Sequence, residues 1–311
     1  MPALPHGDGT ERRPLAFGPD PSVIPVELTL LSWNVHGTPL ARDVSARFER
    51  IADKILELKP DIVLLQEVWR DRQVEILNRR LEPQYQFVAP PEELNGWVFR
   101  AGGLLTLVGR SHRVESSAFQ AFAIEGSPWR FWEGDAYGDK GVLEVDVLTA
   151  GGVPLSTLNT HLQSEYAERR HAGIRRAQLR QLRRVAEAVG PRQLVLAAGD
   201  LNTLPDEPIF GEVTVYWRDL TAQLRTQCRC GTRLLADGRE EGWIDYVLGR
   251  PMPSWVMEVV EAHRVGNVAP DRPYSDHRAI RLRLRLLREP VAHLERALRK
   301  RRVVHPQTRT P

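Results

Sequence analysis

The sequence predicts a single α/β domain with mixed β-sheets, because β-α-β units and β-hairpins both occur along the chain. The chain has 311 residues, of which 42% are hydrophobic, so it can bury one full core. Six apolar runs are each joined to a short polar cluster. They read LLSWNVHG, IVLLQEVW, STLNTHLQ, LVLAAGDLN, WIDYVL and YSDHRAIRLRLRL. A buried strand that ends at an acid, amide or imidazole carries that group to the rim of a sheet. The six clusters therefore predict one polar crater.

The first elements form a β-α-β unit. Residues 1–26 are rich in Pro and Gly and are expected to be disordered. LTLLSWNV predicts a buried strand, and SARFERIADKILELK an amphipathic helix that ends before Pro60. Its apolar face comprises Phe48, Ile51, Ile55 and Leu58. DIVLLQEV predicts the next strand, which should run parallel to the first.

The later elements mix hairpins with further β-α-β connections. GGLLTLVGR predicts a strand, and VLEVDVLTAGGVPLSTLNTHL predicts a hairpin that turns at Gly151 and Gly152. An Arg-rich helix is expected over residues 165–189, before the apolar strand LVLAAGDLN. Residues 203–242 are interpreted as mostly loop, and WIDYVLG, MEVVEAHRV and RAIRLRLRL predict three more strands. We place the domain at residues 27–288 and a basic tail at 289–311.

Composition narrows the functional classes. No run approaches the roughly 18 apolar residues that a membrane-spanning helix needs. The first 25 residues contain no apolar segment of the kind found in secretory signals. The two cysteines, Cys228 and Cys230, are expected to be free thiols in a cytoplasmic chain, with a zinc site as the weaker alternative. With 43 basic and 40 acidic residues, the net charge of +3 permits an anionic partner without demanding one.

Four short motifs, WN, QE, GDLN and SDH, together resemble the endonuclease/exonuclease/phosphatase superfamily over residues 28–287. Three stretches are similar to its neutral sphingomyelinase branch: LLQEVW at 64–69, GDKG at 138–141 and THLQSEY at 160–166. The resemblance implies a four-layer α-β-β-α sandwich of the deoxyribonuclease I type. Two face-packed mixed sheets are then flanked by helices, with the active site at one end.

The carboxylates and amides of the crater predict a magnesium site. Asn34 and Glu67 end neighbouring parallel strands, and oxygen ligands with an incomplete shell suit Mg²⁺, with Mn²⁺ as a possible substitute. The resemblance adds Asp276 of SDH on the metal side. Alone, Asn34 could be a turn-capping amide and Glu67 an exposed strand-end carboxylate. Their pairing on adjacent strands favours the metal interpretation.

The remaining polar residues predict acid-base chemistry on a phosphate ester. His277 can take a proton from water at neutral pH, and the resemblance makes Asp245 the carboxylate that orients it. Asp200 is expected to activate or orient the water, and Asn202 to donate to a phosphoryl oxygen. His161 is expected to protonate the leaving oxygen or to bind a phosphate oxygen. The alternatives are an Asx turn at Asp200 and Asn202, and a structural role for His161.

Two further residues are assigned to substrate binding. Lys140 in GDKG could steer an anionic substrate, although a turn lysine is nearly as good an interpretation. Asn159 shares a strand face with His161 and could support the substrate.

The aromatic stretch at residues 119–138 could contact lipid or fold over as a hydrophobic plug. It contains Phe119, Phe122, Trp129, Phe131, Trp132 and Tyr137. A contact at the membrane surface is therefore expected as one possibility, and the oligomeric state is left open.

The favoured function is a Mg²⁺-dependent phosphodiesterase that cleaves phospholipid in the manner of a sphingomyelinase. The alternative enzyme is an endonuclease or exonuclease acting on DNA or RNA, which would need a basic groove with stacking aromatics. A binding module without activity is the alternative from another class. It is disfavoured because every site position carries a chemically competent residue.

Overall fold

The computed structural model describes residues 25–38, 41–96, 99–124, 139–165, 171–191, 193–228, 230–235, 237–250, 255–266 and 273–288. These ranges contain two six-stranded sheets and five α-helices. The strands are β1 (Val26–Asn34), β2 (Ile62–Gln66), β3 (Tyr85–Val88), β4 (Leu105–Gly109), β5 (Arg113–Ala121), β6 (Gly141–Leu148), β7 (Pro154–His161), β8 (Leu194–Asp200), β9 (Arg218–Asp219), β10 (Arg233–Leu234), β11 (Glu240–Glu241), β12 (Asp245–Gly249), β13 (Trp255–Val265) and β14 (Ala279–Arg288). The helices are α1 (Val44–Leu58), α2 (Asp71–Leu81), α3 (Ala172–Ala188), α4 (Pro208–Tyr216) and α5 (Ala222–Cys228).

The first sheet has the strand order β13-β14-β1-β2-β4-β3, and the second has the order β5-β6-β7-β8-β12-β9. Within the described chain, β10 and β11 pair separately as a short ribbon. Strands β1 and β2 are parallel, as the predicted β-α-β unit requires, and β7 and β8 are the parallel pair of the second sheet. The predicted hairpin is confirmed, because β6 and β7 are antiparallel neighbours.

The layers follow from the apolar faces of the strands. Helices α1 and α2 cover the outer face of the first sheet, where Phe48, Ile51 and Ile55 pack against Leu31 and Val63. The opposite faces of β1 and β2 belong to the core shared with the second sheet, on which α3 packs. Helices, two sheets and helices form the predicted four-layer α-β-β-α sandwich, which is confirmed.

The segment interpreted as mostly loop contains regular structure. Helices α4 and α5 and strands β9, β10 and β11 lie within residues 203–242. The sequence PIFGEVTVY gave no helical signal because it combines glycine with several β-branched residues, which are weak helix formers. Pro208 at the helix start and burial of Ile209, Phe210 and Val213 nevertheless stabilise α4.

The structure also bears on the expectations for the aromatic stretch and the cysteines. Strand β5 occupies the start of the aromatic stretch, and Phe122 just after it is buried, which fits the plug interpretation for that residue. The remaining aromatic residues of that stretch, between 125 and 138, lie outside the described residues, as do the N-terminal 24 residues and the basic tail. Cys228 and Cys230 form a disulfide, so the expectation of free thiols is wrong. No helix in the described part of the chain is long and apolar enough to span a membrane.

Candidate active site

The predicted polar crater lies at one end of the sandwich. Strands β1, β7 and β8 end at Asn34, His161 and Asp200, and Glu67 follows the last residue of β2. Two of the six clusters are placed differently from the prediction, because Asp245 begins β12 and His277 precedes β14. Both strands run antiparallel to their neighbours, so their starting ends reach the same rim.

His277 and Asp245 form a buried dyad. Nδ1 of His277 lies 2.8 Å from Oδ2 of Asp245, and Nε2 lies 3.7 Å from Oδ2 of Asp200. Burial alone would lower the pKa of His277, but the carboxylates of Asp245 and Asp200 outweigh it and raise this pKa well above 6.5. The imidazole is therefore held in one orientation, with the nitrogen that does not contact Asp245 directed toward the crater.

Asn34 connects the two acidic halves of the crater. Its Nδ2 donates to Oε1 of Glu67 at 2.9 Å and to Oδ2 of Asp200 at 3.1 Å. Its Oδ1 accepts the backbone N–H of His36 at 3.0 Å, which fixes the orientation of the amide. In this arrangement Asn34 acts as a donor to the carboxylates. Because an amide oxygen has two lone pairs, Oδ1 can accept this bond and still serve as a cation ligand.

Two carboxylates of the crater have raised pKa values, which is the effect of burial without a sufficient positive charge beside them. Burial, reinforced by nearby Asp276, raises the pKa of Glu67 to about 7. Burial also raises the pKa of Asp200 to about 6, with Asp245 adding to the shift and His277 opposing it. Oε2 of Glu67 is buried and has no hydrogen-bond partner among the described residues. Clustered carboxylates with a free buried oxygen fit a divalent cation.

The described residues offer two positions for such a cation. On one side, the carboxylates of Glu67 and Asp276, the ligands assigned from the sequence, lie near enough to interact electrostatically. Asp200, Asp245 and His277 on the other side bring their ligand atoms within 4.8 Å of one another. The dyad already uses one oxygen of Asp245 and one nitrogen of His277, so the first position leaves the catalytic hydrogen bond intact.

His161 and Lys140 form the second basic pair of the crater. Lys140 is buried, and its Nζ donates to the carbonyl of Leu162 at 2.7 Å and lies 3.2 Å from Nε2 of His161. Burial and the charge of Lys140 lower the pKa of His161 well below 6.5. Nε2 of His161 also lies 3.6 Å from Oδ2 of Asp200. The two histidines therefore have pKa values displaced in opposite directions, which is typical of sites that divide acid and base roles.

Asn202 makes the Asx turn that was the alternative interpretation of GDLN. Its backbone N–H donates to Oδ1 of Asp200 at 2.9 Å. Its side-chain Nδ2 donates to the carbonyl of Leu162 at 3.1 Å, so Asn202 ties the loop after β8 to the end of β7. The Asx turn uses the backbone N–H of Asn202, and the bond to Leu162 uses one of its two side-chain N–H groups. The second side-chain N–H can still donate to a phosphoryl oxygen, so the two interpretations of Asn202 are compatible.

Asn159 does not reach the crater, which corrects its assignment to substrate binding. It is fully buried between the sheets. Its Oδ1 accepts from Gln66 at 2.8 Å, and its Nδ2 donates to the carbonyls of Leu65 and Leu105 at 3.0 and 3.2 Å. It shares the strand face of His161, but it lies one layer deeper, where its hydrogen bonds join the two sheets.

Three residues at positive φ surround the crater: His36 at 49°, Glu67 at 62° and Asn202 at 46°. A non-glycine residue in this region costs on the order of 1–3 kcal/mol and persists only where the surroundings enforce it. The backbone N–H of Gly37 donates to the carbonyl of Glu67 at 3.0 Å, so the strained turns after β1 and β2 hold each other. The strain therefore coincides with the proposed cation position.

Sequence reasoning missed several supporting residues. His36 lies 3.3 Å from Oδ1 of Asp276, through Nδ1. Ser275 donates from Oγ to the carbonyl of Asn34 at 2.7 Å and accepts the N–H of His277 at 3.1 Å. The buried guanidinium of Arg47 donates to the carbonyls of Val35, His36 and Tyr274. Ser275 and His36 lie inside quoted motifs, whereas nothing in the sequence distinguishes Arg47 from Arg50, the other arginine of α1.

Comparison with known proteins places this site in a family. Residues 31–277 match the model of the Endonuclease/Exonuclease/phosphatase family. A putative neutral sphingomyelinase of Drosophila melanogaster is 28% identical over 296 residues, covering 87% of this chain and 64% of that protein. Sphingomyelin phosphodiesterase 2 of Homo sapiens is 27% identical over 188 residues, covering 58% of this chain and 42% of that protein.

The chain thus spans less than two thirds of the length of either relative. Among solved structures, the humanized TDP2 of D. rerio superposes with a TM-score of 0.65 at 20% identity, covering 83% of this chain and 98% of that one. This likeness shows the fold. The relatives support the predicted class of phosphodiesterase hydrolase and the resemblance to the sphingomyelinase branch. With its motifs, fold and site in agreement, the chain belongs to the Endonuclease/Exonuclease/phosphatase family.

Proposed function

We propose that this chain is a divalent-cation-dependent phosphodiesterase that hydrolyses a phospholipid of the sphingomyelin type. The proposal rests on one observation: the His277–Asp245 dyad, Asp200 and Glu67 converge in one crater. Glu67 has a buried oxygen that accepts no hydrogen bond from the described residues, so this oxygen is available to a cation. The lipid preference is supported by the relatives, whose names describe sphingomyelin cleavage. Magnesium is the proposed ion, with manganese as a substitute.

Glu67 and Asp276 would hold the cation, with Asn34 as the predicted third ligand through Oδ1. When bound, a divalent cation supplies charge that binds phosphate oxygens and stabilises the developing negative charge on them. Asp276 is itself held in place by His36 and by Ser275, whose hydroxyl lies 3.3 Å from its Oδ1. The carboxylates are thus oriented by protein contacts before any substrate arrives.

Nε2 of His277 would take the proton from the attacking water, because Nδ1 is committed to Asp245. Asp200, 3.7 Å from that nitrogen, can orient the same water. After the transfer, the imidazolium lies beside two carboxylates that stabilise its charge, which explains the raised pKa. The base is therefore strong, and it acts only in the fraction of molecules in which His277 is neutral.

His161 is better suited to binding a phosphate oxygen than to protonating the leaving oxygen. Its lowered pKa keeps the ring neutral at pH 7. With Lys140 donating toward Nε2, the ring proton belongs on Nδ1, which has no partner in the described part of the chain. The neutral ring leaves the buried ammonium group of Lys140 as the positive charge that attracts an anionic oxygen to this side of the crater.

The proposal is tested with the purified chain, a soluble diester such as bis(p-nitrophenyl) phosphate, and sphingomyelin in mixed micelles. Hydrolysis of both should require Mg²⁺ or Mn²⁺ and should stop when EDTA is added. Full activity in EDTA would refute the cation assignment. Cleavage of the soluble diester without release of phosphocholine from sphingomyelin would refute the lipid assignment while leaving the phosphodiesterase chemistry in place.

A further inference from the structure

Helix α3 buries three polar side chains at successive three-residue intervals. Arg175, Gln178 and Gln181 are 0%, 1% and 6% exposed, and we refer to them as the polar ridge. Residues three apart lie on adjacent turns of a helix, so the ridge runs along one side of α3. Burial of amide and guanidinium groups costs free energy unless each finds partners. The hydrogen-bond partners of these three side chains therefore indicate which parts of the structure the polar ridge connects.

Two glutamines of the polar ridge bond to backbone of loops at the crater end. Gln181 accepts the N–H of Ala123 at 2.9 Å and donates to the carbonyl of Ala121 at 2.7 Å. Gln178 accepts the N–H of Gln163 at 2.8 Å and donates to the carbonyl of Ile124 at 3.1 Å. Each side-chain amide accepts a hydrogen bond from a backbone N–H and donates one to a backbone carbonyl. Together the two amides join the loop after β5 to the loop after β7.

Arg175 extends the connection to a third loop. Its guanidinium donates to Glu165 at 2.9 Å and to Glu207 at 2.7 Å, and the side chain is fully buried. Glu207 in turn accepts the backbone N–H of Leu204 at 2.9 Å through its other oxygen. The loops after β7 and β8 are therefore fixed to each other through a paired, buried cation.

Each of the three loops carries one group of the crater. Gln163 lies two residues after His161. Leu204 lies two residues after Asn202. The loop after β5 is joined to Lys140 by the bond from the N–H of Phe122 to the carbonyl of Lys140, at 2.8 Å. The polar ridge is thus connected to backbone near His161 through Gln178, near Lys140 through Gln181, and near Asn202 through Arg175 and Glu207.

We propose that the polar ridge positions this half of the active site, with a separate assignment for each member. Gln178 positions His161, Gln181 positions Lys140, and Arg175 positions Asn202. The inference rests on the proposed phosphodiesterase function and adds positioning residues to it. A small displacement of a catalytic group costs rate without removing the group, so the ridge residues act on turnover through their neighbours.

The first test is a double-mutant cycle on hydrolysis of bis(p-nitrophenyl) phosphate. Gln178→Leu should lower kcat by about 10- to 100-fold with little change in KM, because it releases Gln163 and the end of β7. In a His161→Ala background the same change should have little further effect, while in a Glu67→Gln background assayed at saturating Mg²⁺ its full effect should remain. Arg184→Gln, an exposed position on the same helix, is the matched control and should leave kcat unchanged.

Equal loss of kcat in all three backgrounds would show a general effect on folding and overturn the assignment. Gln178→Glu guards against a variant that does not fold, because it retains an acceptor for the N–H of Gln163. It should recover most of the turnover that Gln178→Leu loses. If Gln178→Glu folds and is as impaired as the leucine variant, the assignment of Gln178 to His161 is wrong.

The second test does not depend on activity. Amide hydrogen exchange should accelerate in Gln178→Leu at residues 162–165 and 124, and in Arg175→Leu at residues 204–207. A protein that lacks phosphodiesterase activity but shows this pattern would refute the proposed function and retain the ridge as a connector of loops. An active protein in which both variants accelerate exchange uniformly would refute the polar ridge instead.

Discussion

Glu67 combines a left-handed backbone, a raised pKa and a buried oxygen that has no hydrogen-bond partner in the described part of the chain, so the proposed cation site depends most on this residue. We predict that Glu67→Gln weakens Mn²⁺ binding by at least about 10-fold, since the ligand loses its charge. Titration of Mn²⁺ by electron paramagnetic resonance measures this directly. Asp245→Asn serves as the contrast, because it belongs to the other candidate position. If Asp245→Asn abolishes binding and Glu67→Gln does not, the cation lies on the Asp200 side.

The two histidines should differ in their effect on the pH profile. Loss of either His277 or His161 should lower kcat by roughly 10²-fold, the scale of a lost acid-base or charge-stabilising group. For the unmodified chain, kcat/KM should rise with pH through an apparent pKa above 6.5, since His277 must be neutral to accept a proton. Profiles recorded across that range should lose the rise in His277→Ala and keep it in His161→Ala. A rise that survives His277→Ala would assign the base to another group.

The sequence was most informative where a motif and a strand end coincide. Asn34, Glu67, His161, Asp200 and His277 were predicted correctly as members of one crater. The periodicity that identifies a buried strand also shows where its last side chain points. Asn159 was misplaced because the same period of two cannot tell the rim from the layer beneath it. Arg47 was missed because its role comes from three carbonyl groups that only the folded chain brings together.

Among the elements, strand β8 depends on the glycine of GDLN. Gly199 has φ of 148°, and a Cβ added there would overlap the carbonyl oxygen of Thr160 on β7. Gly199→Ala should therefore destabilise the protein by more than about 1 kcal/mol, since neither the conformation nor the space suits a side chain. Gly211→Ala in α4 is the matched control. No atom lies within 4 Å of its added Cβ, and alanine favours a helix by about 1 kcal/mol.

Urea denaturation of the two variants measures both effects on one scale. The free energy of unfolding should fall in Gly199→Ala and rise in Gly211→Ala, relative to the unmodified chain. The slope of this free energy against urea concentration should be unchanged in both variants. A neutral Gly199→Ala would mean that β7 and β8 can separate locally without cost. That result would also weaken the proposed geometry of His161 and Asp200, because these residues are direct neighbours across the same strand pair.

The element-level errors have a common cause. Strands of the two central pairs were predicted because nearly all of their residues are buried, so hydrophobic runs mark them clearly. Strand β5, with most of its residues exposed or partly exposed, and helix α4 lack such a pattern. They are held by their neighbours: β5 by its ladder with β6, and α4 by the apolar residues beneath it. Contacts distant in sequence cannot be read from local periodicity.

At the scale of the whole molecule, the choice of substrate depends on what surrounds the crater. Within the described part of the aromatic stretch, Ile124 is an exposed apolar side chain, and its carbonyl accepts a hydrogen bond from Gln178. The stretch itself is connected to the site, because Phe122 at one end bonds to Lys140 at the other. From the sequence of residues 125–138, we predict that their aromatic side chains contribute to binding a lipid surface.

The final prediction separates lipid from nucleic acid. Trp129→Ala combined with Trp132→Ala should weaken binding to sphingomyelin vesicles in a flotation assay, because apolar contact area is lost. Cleavage of bis(p-nitrophenyl) phosphate should remain nearly intact, since the crater residues are unchanged. Trp255→Leu is the control: it removes a half-buried tryptophan where β13 pairs with the last residue of β14, at the end of the sheet away from the crater. A nuclease would give the reverse result, with no vesicle binding and with DNA or RNA binding that falls steeply as salt rises.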